Sequence, residues 1–139
     1  MEVTRLVVVF GPSGAGKSTH CRASYPAGVT ISADDYRPDP RVAERGRRCY
    51  LEAAARISRG DPLVVIDTAA TVDGYLTRWG ELRHLGATVE WVAVTVADPV
   101  TLRRNVHHTP PDKLTWMWES MEDTIAEWYR GDLRVIRAG

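Results

Sequence analysis

Residues 5–18 read Arg5-Leu6-Val7-Val8-Val9-Phe10-Gly11-Pro12-Ser13-Gly14-Ala15-Gly16-Lys17-Ser18. The run up to Phe10 is short, continuous, apolar and rich in Val, the pattern of a strand buried on both faces. The eight residues from Gly11 to Ser18 match G-x-x-x-x-G-K-[ST] in full, between that strand and the start of a helix. Glycines at these positions let the backbone wrap tightly enough for successive N–H groups to point at phosphate oxygens. The helix that follows adds its positive end. Lys17 supplies a compact mobile charge for β- and γ-phosphates, and the Ser18 hydroxyl suits Mg2+. Gly11, Ser13, Gly14, Ala15, Gly16, Lys17, Ser18 and Thr19 are therefore the candidate residues for a nucleoside triphosphate.

Outward from this loop, strand and helix signals alternate. A helix is expected from about Lys17 to Ser24, broken by Tyr25-Pro26-Ala27-Gly28. Val29–Ser32 reads as a second strand and Ala33–Arg37 as a loop. A helix from about Pro40 to Arg59 follows, with Asp39 as N-cap and Pro40 at its first position. Leu63–Ile66 is a third strand ending at Asp67. Val72–Leu85 is a helix capped by Gly86, and Thr88–Val96 a fourth strand. A helix from Asp98 to about His107 precedes Thr109-Pro110-Pro111. Asp112 caps a last helix to about Tyr129, and Leu133–Ile136 is a fifth strand. This alternation predicts an α/β chain of the P-loop NTPase type: a five-stranded parallel sheet, helices on both faces and a small helical lid. Ligands of such sheets lie beyond the carboxyl ends of the strands.

The 139 residues fit one domain, 1–139. An apolar share of 44% is enough to bury a core, which excludes wholesale disorder. No apolar run reaches the ~20 residues that span a bilayer, and MEVTRL does not read as a signal peptide, so a cytoplasmic protein with no membrane partner is expected. Cys21 and Cys49 belong to no Cys/His cluster, which argues against zinc. The 18 basic and 18 acidic side chains cancel, so contact with a polyanion has to be local. Only two of the basic residues are lysine, Lys17 and Lys113.

Three classes use such a loop: kinases, switches and motors. No NKxD string marks a guanine-specific switch, and a motor needs more mass. A kinase needs a carboxylate for the acceptor's proton and arginines for the phosphoryl group. Ser32-Ala33-Asp34-Asp35-Tyr36-Arg37 offers both after the second strand. One carboxylate can accept the proton, and Arg37 can clamp an acceptor phosphate. Ser32 and Asp35 also have capping-box spacing, against which Pro38 and Pro40 speak. Adjacent carboxylates on an extended chain point to opposite sides, so one of the two should face the phosphates. Asp67, after four apolar residues, fits a carboxylate that positions Mg2+ or a catalytic arginine. Arg103 and Arg104 fall where small P-loop kinases carry lid arginines, beside His107 and His108. In the last helix Met117, Met121, Ile125 and Trp128 form a core stripe, while Trp116 lies on another face.

In combination, GPSGAGKST, DDYR (34–37), IDT (66–68), RRN (103–105) and the P-x-D-x-L pattern from Pro110 to Leu114, continuing to Met117 and Met121, resemble the kinase domain of the phage-type polynucleotide 5′-hydroxyl kinases. The motifs run in the same order from about Leu6 to Met121. The resemblance implies transfer of the γ-phosphoryl group of ATP or another NTP, with Mg2+, to a 5′-hydroxyl end of DNA or RNA. It implies Asp34 as general base, Arg37 on the acceptor phosphate, Lys17 and Ser18 on the donor phosphates and metal, Asp67 orienting Arg37 and the acceptor, and Arg104 as a lid arginine. The segment between Arg104 and Pro110 is shorter than the family's usual lid, with His107-His108 where a further arginine is expected. A kinase for another hydroxyl (a hydroxymethylated base, a nucleoside or a small molecule) and a non-catalytic nucleotide switch are the alternative expectations.

Overall fold

A computed structural model of the chain describes residues 3–12, 14–36, 38–98, 102, 110–128 and 133–138. The five strands are β1 (Arg5–Phe10), β2 (Thr30–Ser32), β3 (Leu63–Thr68), β4 (Thr88–Val96) and β5 (Leu133–Ala138). The helices are α1 (Lys17–Ser24), α2 (Val42–Ser58), α3 (Asp73–Gly80) and α4 (Pro111–Trp128).

The solid apolar run Leu6–Phe10 can be satisfied only at the centre of a sheet, and it lies there. The strand order is β2-β3-β1-β4-β5 and every pairing is parallel. Phe10 is level with Thr68 of β3 on one side and Ala93 of β4 on the other. The carboxyl ends of the three central strands therefore open onto one rim, and the P-loop leaves from its middle. Leu6, Val8 and Phe10 face a core built with Cys49, Ala53 and Ile57 of α2, Leu76 and Trp79 of α3, and Met121 and Ile125 of α4. Val7 and Val9 face the other side, with Ala15, Cys21 of α1, Leu102 and Leu114. The α/β architecture with helices on both faces is thus as the alternating pattern predicts.

Several boundaries differ from expectation. The α2 helix starts at Val42, with Arg41 rather than Asp39 at its N-cap. The Asp39 carboxylate instead accepts the Arg41 backbone N–H at 3.0 Å and the Arg41 guanidinium at 3.1 and 3.0 Å, forming a local turn that delays the helix. The expected helix over 72–85 is α3 followed by a 3-10 turn, Glu81–Leu85. Gly86 ends it in the left-handed conformation, φ 93°, with its N–H on the Arg83 carbonyl. α4 begins at Pro111, so Asp112 sits in its first turn rather than capping it. The expected helix over 98–107 falls on 99–101 and 103–109, outside the described residues, as does the lid. Of it only Asp98, at its expected start, and Leu102 are described, Leu102 being fully buried.

Candidate active site

The P-loop is held against the sheet by close packing. Gly11 has φ +153°, and a Cβ on it would lie 1.9 Å from the Val94 carbonyl oxygen. Gly16 caps α1 at φ 99°, in the left-handed region. Lys17 opens the helix, and its side chain is buried, with Nζ donating to the Pro12 carbonyl at 3.0 Å. Burial holds the Lys17 ammonium below the usual lysine range. The negative charges of Asp67 and then Asp34 oppose that shift, as does Cys21 more weakly.

The Ser18 hydroxyl donates to Asp67 Oδ2 at 3.0 Å. Parallel pairing explains the meeting: Asp67 is level with Val9, and the next element after β1 returns over that face as α1. Asp67 is 8% exposed. A hydroxyl and a carboxylate oxygen at hydrogen-bond distance are a hard-oxygen donor set, which suits Mg2+ retaining waters and phosphate ligands.

Beyond β2, residues Ala33–Tyr36 form a 3-10 turn where a loop is expected. The capping box forms after all, on this one turn. Asp35 Oδ2 accepts the Ser32 N–H at 3.0 Å, and Ser32 Oγ accepts the Asp34 N–H at 3.2 Å. Pro38 and Pro40 oppose a long helix but leave room for a single turn. Asp35 is thereby committed to the backbone. Asp34 is the carboxylate of the pair that reaches Lys17 electrostatically.

The structure thus brings Lys17, Ser18, Asp67 and Asp34 to one rim. Ala15 is buried below it, and Gly14 and Thr19 are exposed on it. Ser13, Arg37, Arg103, Arg104, His107 and His108 lie outside the described residues. Trp116 and Lys113 are exposed on α4. Reading the sequence passes over the arginines of α2. Arg48 lies 5.0 Å over the Tyr36 ring, and Arg45 Nε donates to the Asp39 carbonyl at 2.6 Å. The signal available for them is density, since four of the eight residues from Arg41 to Arg48 are arginine.

No protein-family model and no curated protein matches the sequence. Solved structures do. A chain of "the Pnkp1/Rnl/Hen1 RNA repair complex" is similar at TM-score 0.75 and 15% identity, over 92% of this chain and 47% of that one. This chain therefore spans about half the length of that neighbour. A gluconokinase from Sinorhizobium meliloti 1021 is similar at TM-score 0.62 and 18% identity, over 99% of this chain and 84% of that one. Shikimate kinase from Bacteroides thetaiotaomicron follows at TM-score 0.53 and 18% identity, over 96% and 86%. At these identities the likeness is one of fold, and the fold shared is that of P-loop kinases.

Proposed function

We propose that this chain is an ATP- and Mg2+-dependent kinase that transfers a γ-phosphoryl group to the 5′-hydroxyl end of DNA or RNA. The observation that carries the reading is the placement of two acidic loops beside the P-loop: Asp67 near the end of β3 meets Ser18, and Asp34 follows β2, whose Ser32 is level with Asp67. One carboxylate is hydrogen-bonded to the P-loop serine. The other stands on the neighbouring loop, where an acceptor hydroxyl would have to approach.

The chemistry follows from these positions. The acceptor oxygen forms a bond to the γ-phosphorus as the bond to the β–γ bridging oxygen breaks, and Asp34 takes the hydroxyl proton. Lys17 leaves the Pro12 carbonyl for the phosphates and offsets the charge that moves onto the departing diphosphate. Ser18 and Asp67 would hold Mg2+, which neutralises phosphate charge when bound. Arg37 and Arg104 complete the proposal as acceptor clamp and lid arginine. The P-loop and the two acidic loops do no covalent chemistry themselves, so rate comes from positioning and charge.

A second reading is a kinase for a small-molecule hydroxyl. It is favoured by the similarity to the gluconokinase and shikimate kinase over most of their own lengths. An acceptor screen with γ-labelled ATP separates the two: 5′-hydroxyl oligonucleotides, modified-base DNA, nucleosides and sugar acids are offered in turn. Label on the oligonucleotide end supports the first reading, and label only on small molecules replaces it with the second. In the same assay Asp34→Ala is expected to lower turnover at least ~100-fold while ATP affinity changes little. Substantial turnover in that variant removes Asp34 as the base.

A further inference from the structure

The chain as a whole is neutral, yet its arginines are unevenly placed. From Tyr36 to Arg48 there are five arginines against Asp39 and Glu44. Three of the five are already engaged with acidic groups or lie outside the described residues: Arg41 pairs with Asp39, Arg47 pairs with Glu44, and Arg37 is not described. Arg45 and Arg48 differ. They stand one helical turn apart on α2, and both lean back onto the segment that follows Asp34. Arg45 donates to the Asp39 carbonyl through Nε, which leaves its terminal N–H groups for another acceptor. Among the described residues, Arg48 has no carboxylate partner; its guanidinium rests 5.0 Å over the Tyr36 ring.

Tyr36 is packed against the core beneath α2. The ring is therefore a fixed platform, and an arginine stacked on it is oriented before any ligand arrives. The side chain is nonetheless exposed to solvent. An exposed, pre-oriented guanidinium that forms no salt bridge among the described residues, with the Asp39 carboxylate acting on it only through its field, is suited to a phosphate, which it can bind bidentately. Tyr36 is two residues from Asp34 in the same 3-10 turn, which advances about 4 Å over that span. A strand with its 5′-hydroxyl at Asp34 can run its next phosphates over Tyr36 and along α2.

We propose that Arg48, with Arg45 beside it, binds the backbone phosphates of a single-stranded nucleic acid just downstream of the 5′ end, so that the acceptor is a polynucleotide rather than a small molecule. This rests on the assignment of Asp34 to the acceptor hydroxyl. A sugar-sized acceptor does not extend to α2 and gains nothing from Arg48.

The test uses fluorescence anisotropy with 5′-hydroxyl oligonucleotides of two and eight nucleotides, on wild type, Arg48→Gln, Tyr36→Phe and, as a control at an exposed position of α3, Arg78→Gln. Thermal unfolding followed by circular dichroism checks that each variant folds. Wild type is expected to favour the eight-mer, and Arg48→Gln to lower that preference about tenfold. The slope of log affinity against log salt for the eight-mer should fall by ~0.7, one phosphate's share for a single strand. Tyr36→Phe keeps the aromatic platform and should keep the preference, as should Arg78→Gln. Equal affinity for the two lengths in wild type, or an unchanged preference in folded Arg48→Gln, overturns the inference. The acceptor screen is read separately. Label transfer without Arg48 dependence sinks this inference alone, and Arg48-dependent binding without label transfer sinks the kinase reading alone.

Discussion

Gly11 and Gly16 occupy equivalent-looking places in the motif, and the physical demands on them differ. At Gly11 the obstacle is contact, since a methyl group would sit 1.9 Å from the Val94 carbonyl oxygen, and the strand or the loop must move. At Gly16 nothing lies within 4 Å, and the obstacle is the backbone conformation alone, at φ +99°. Gly16→Ala should therefore cost about 1–2 kcal/mol, and Gly11→Ala more than that, with loss of nucleotide binding because the loop is displaced. Urea unfolding of the two variants checks the order, and equal stabilities would mean that the Val94 contact is relieved easily. The motif names both glycines without distinguishing them, because the neighbour that makes Gly11 irreplaceable is some 80 residues away. The adjacent carboxylates are similar. Sequence spacing identifies two acids and a possible capping box; the 3-10 turn commits Asp35 to the Ser32 N–H, while the Asp34 charge opposes the lowering of the Lys17 pKa.

At the scale of elements, periodicity reads well in α4 and poorly at helix ends. Met117, Met121 and Ile125 are buried, and Trp128 packs against the same core, where its ring centroid is 5.0 Å from that of Trp91 and 5.9 Å from that of Phe10. Met121→Ala should destabilise the protein by about 2–5 kcal/mol. Trp116→Ala, at an exposed position of the same helix, should change stability by no more than about 0.5 kcal/mol. Chemical denaturation of both tests whether the stripe is the face that matters. Ends are harder to read because they turn on single side-chain choices. Asp39 has the chemistry of an N-cap, but an arginine two residues on offers it a backbone N–H and a guanidinium at once, and the helix begins later. After Gly80, the 3-10 turn keeps both Trp79 and Leu82 in the core, a tertiary demand that no local propensity encodes.

Over the whole molecule, the two cysteines report on the core in a way that can be titrated. Cys21 and Cys49 lie on opposite faces of the sheet, both buried, and burial pushes each thiol up from 9.0 to about 12. In the unfolded chain they lose protons near pH 9, while the folded protein retains them. The unfolded state therefore binds fewer protons above pH 9, and stability falls as pH rises from about 9 towards 12. Between pH 8 and 10 this should amount to about 1 kcal/mol per thiol. The urea midpoint measured at both pH values, beside that of a Cys21→Ala, Cys49→Ala variant, checks it: the double variant should show the smaller pH response. By itself the sequence determined the strand–helix alternation, the centrality of β1, the phosphate loop and the acids at the strand ends, because each is written in a local run or a fixed spacing. The tertiary structure alone decided that Asp67 meets Ser18, why Gly11 admits no side chain, and that Arg48 is held over Tyr36 in the turn after β2. Those are relations between residues far apart in sequence or competing for the same hydrogen bonds, and only the packed sheet and its helices put them in reach of one another.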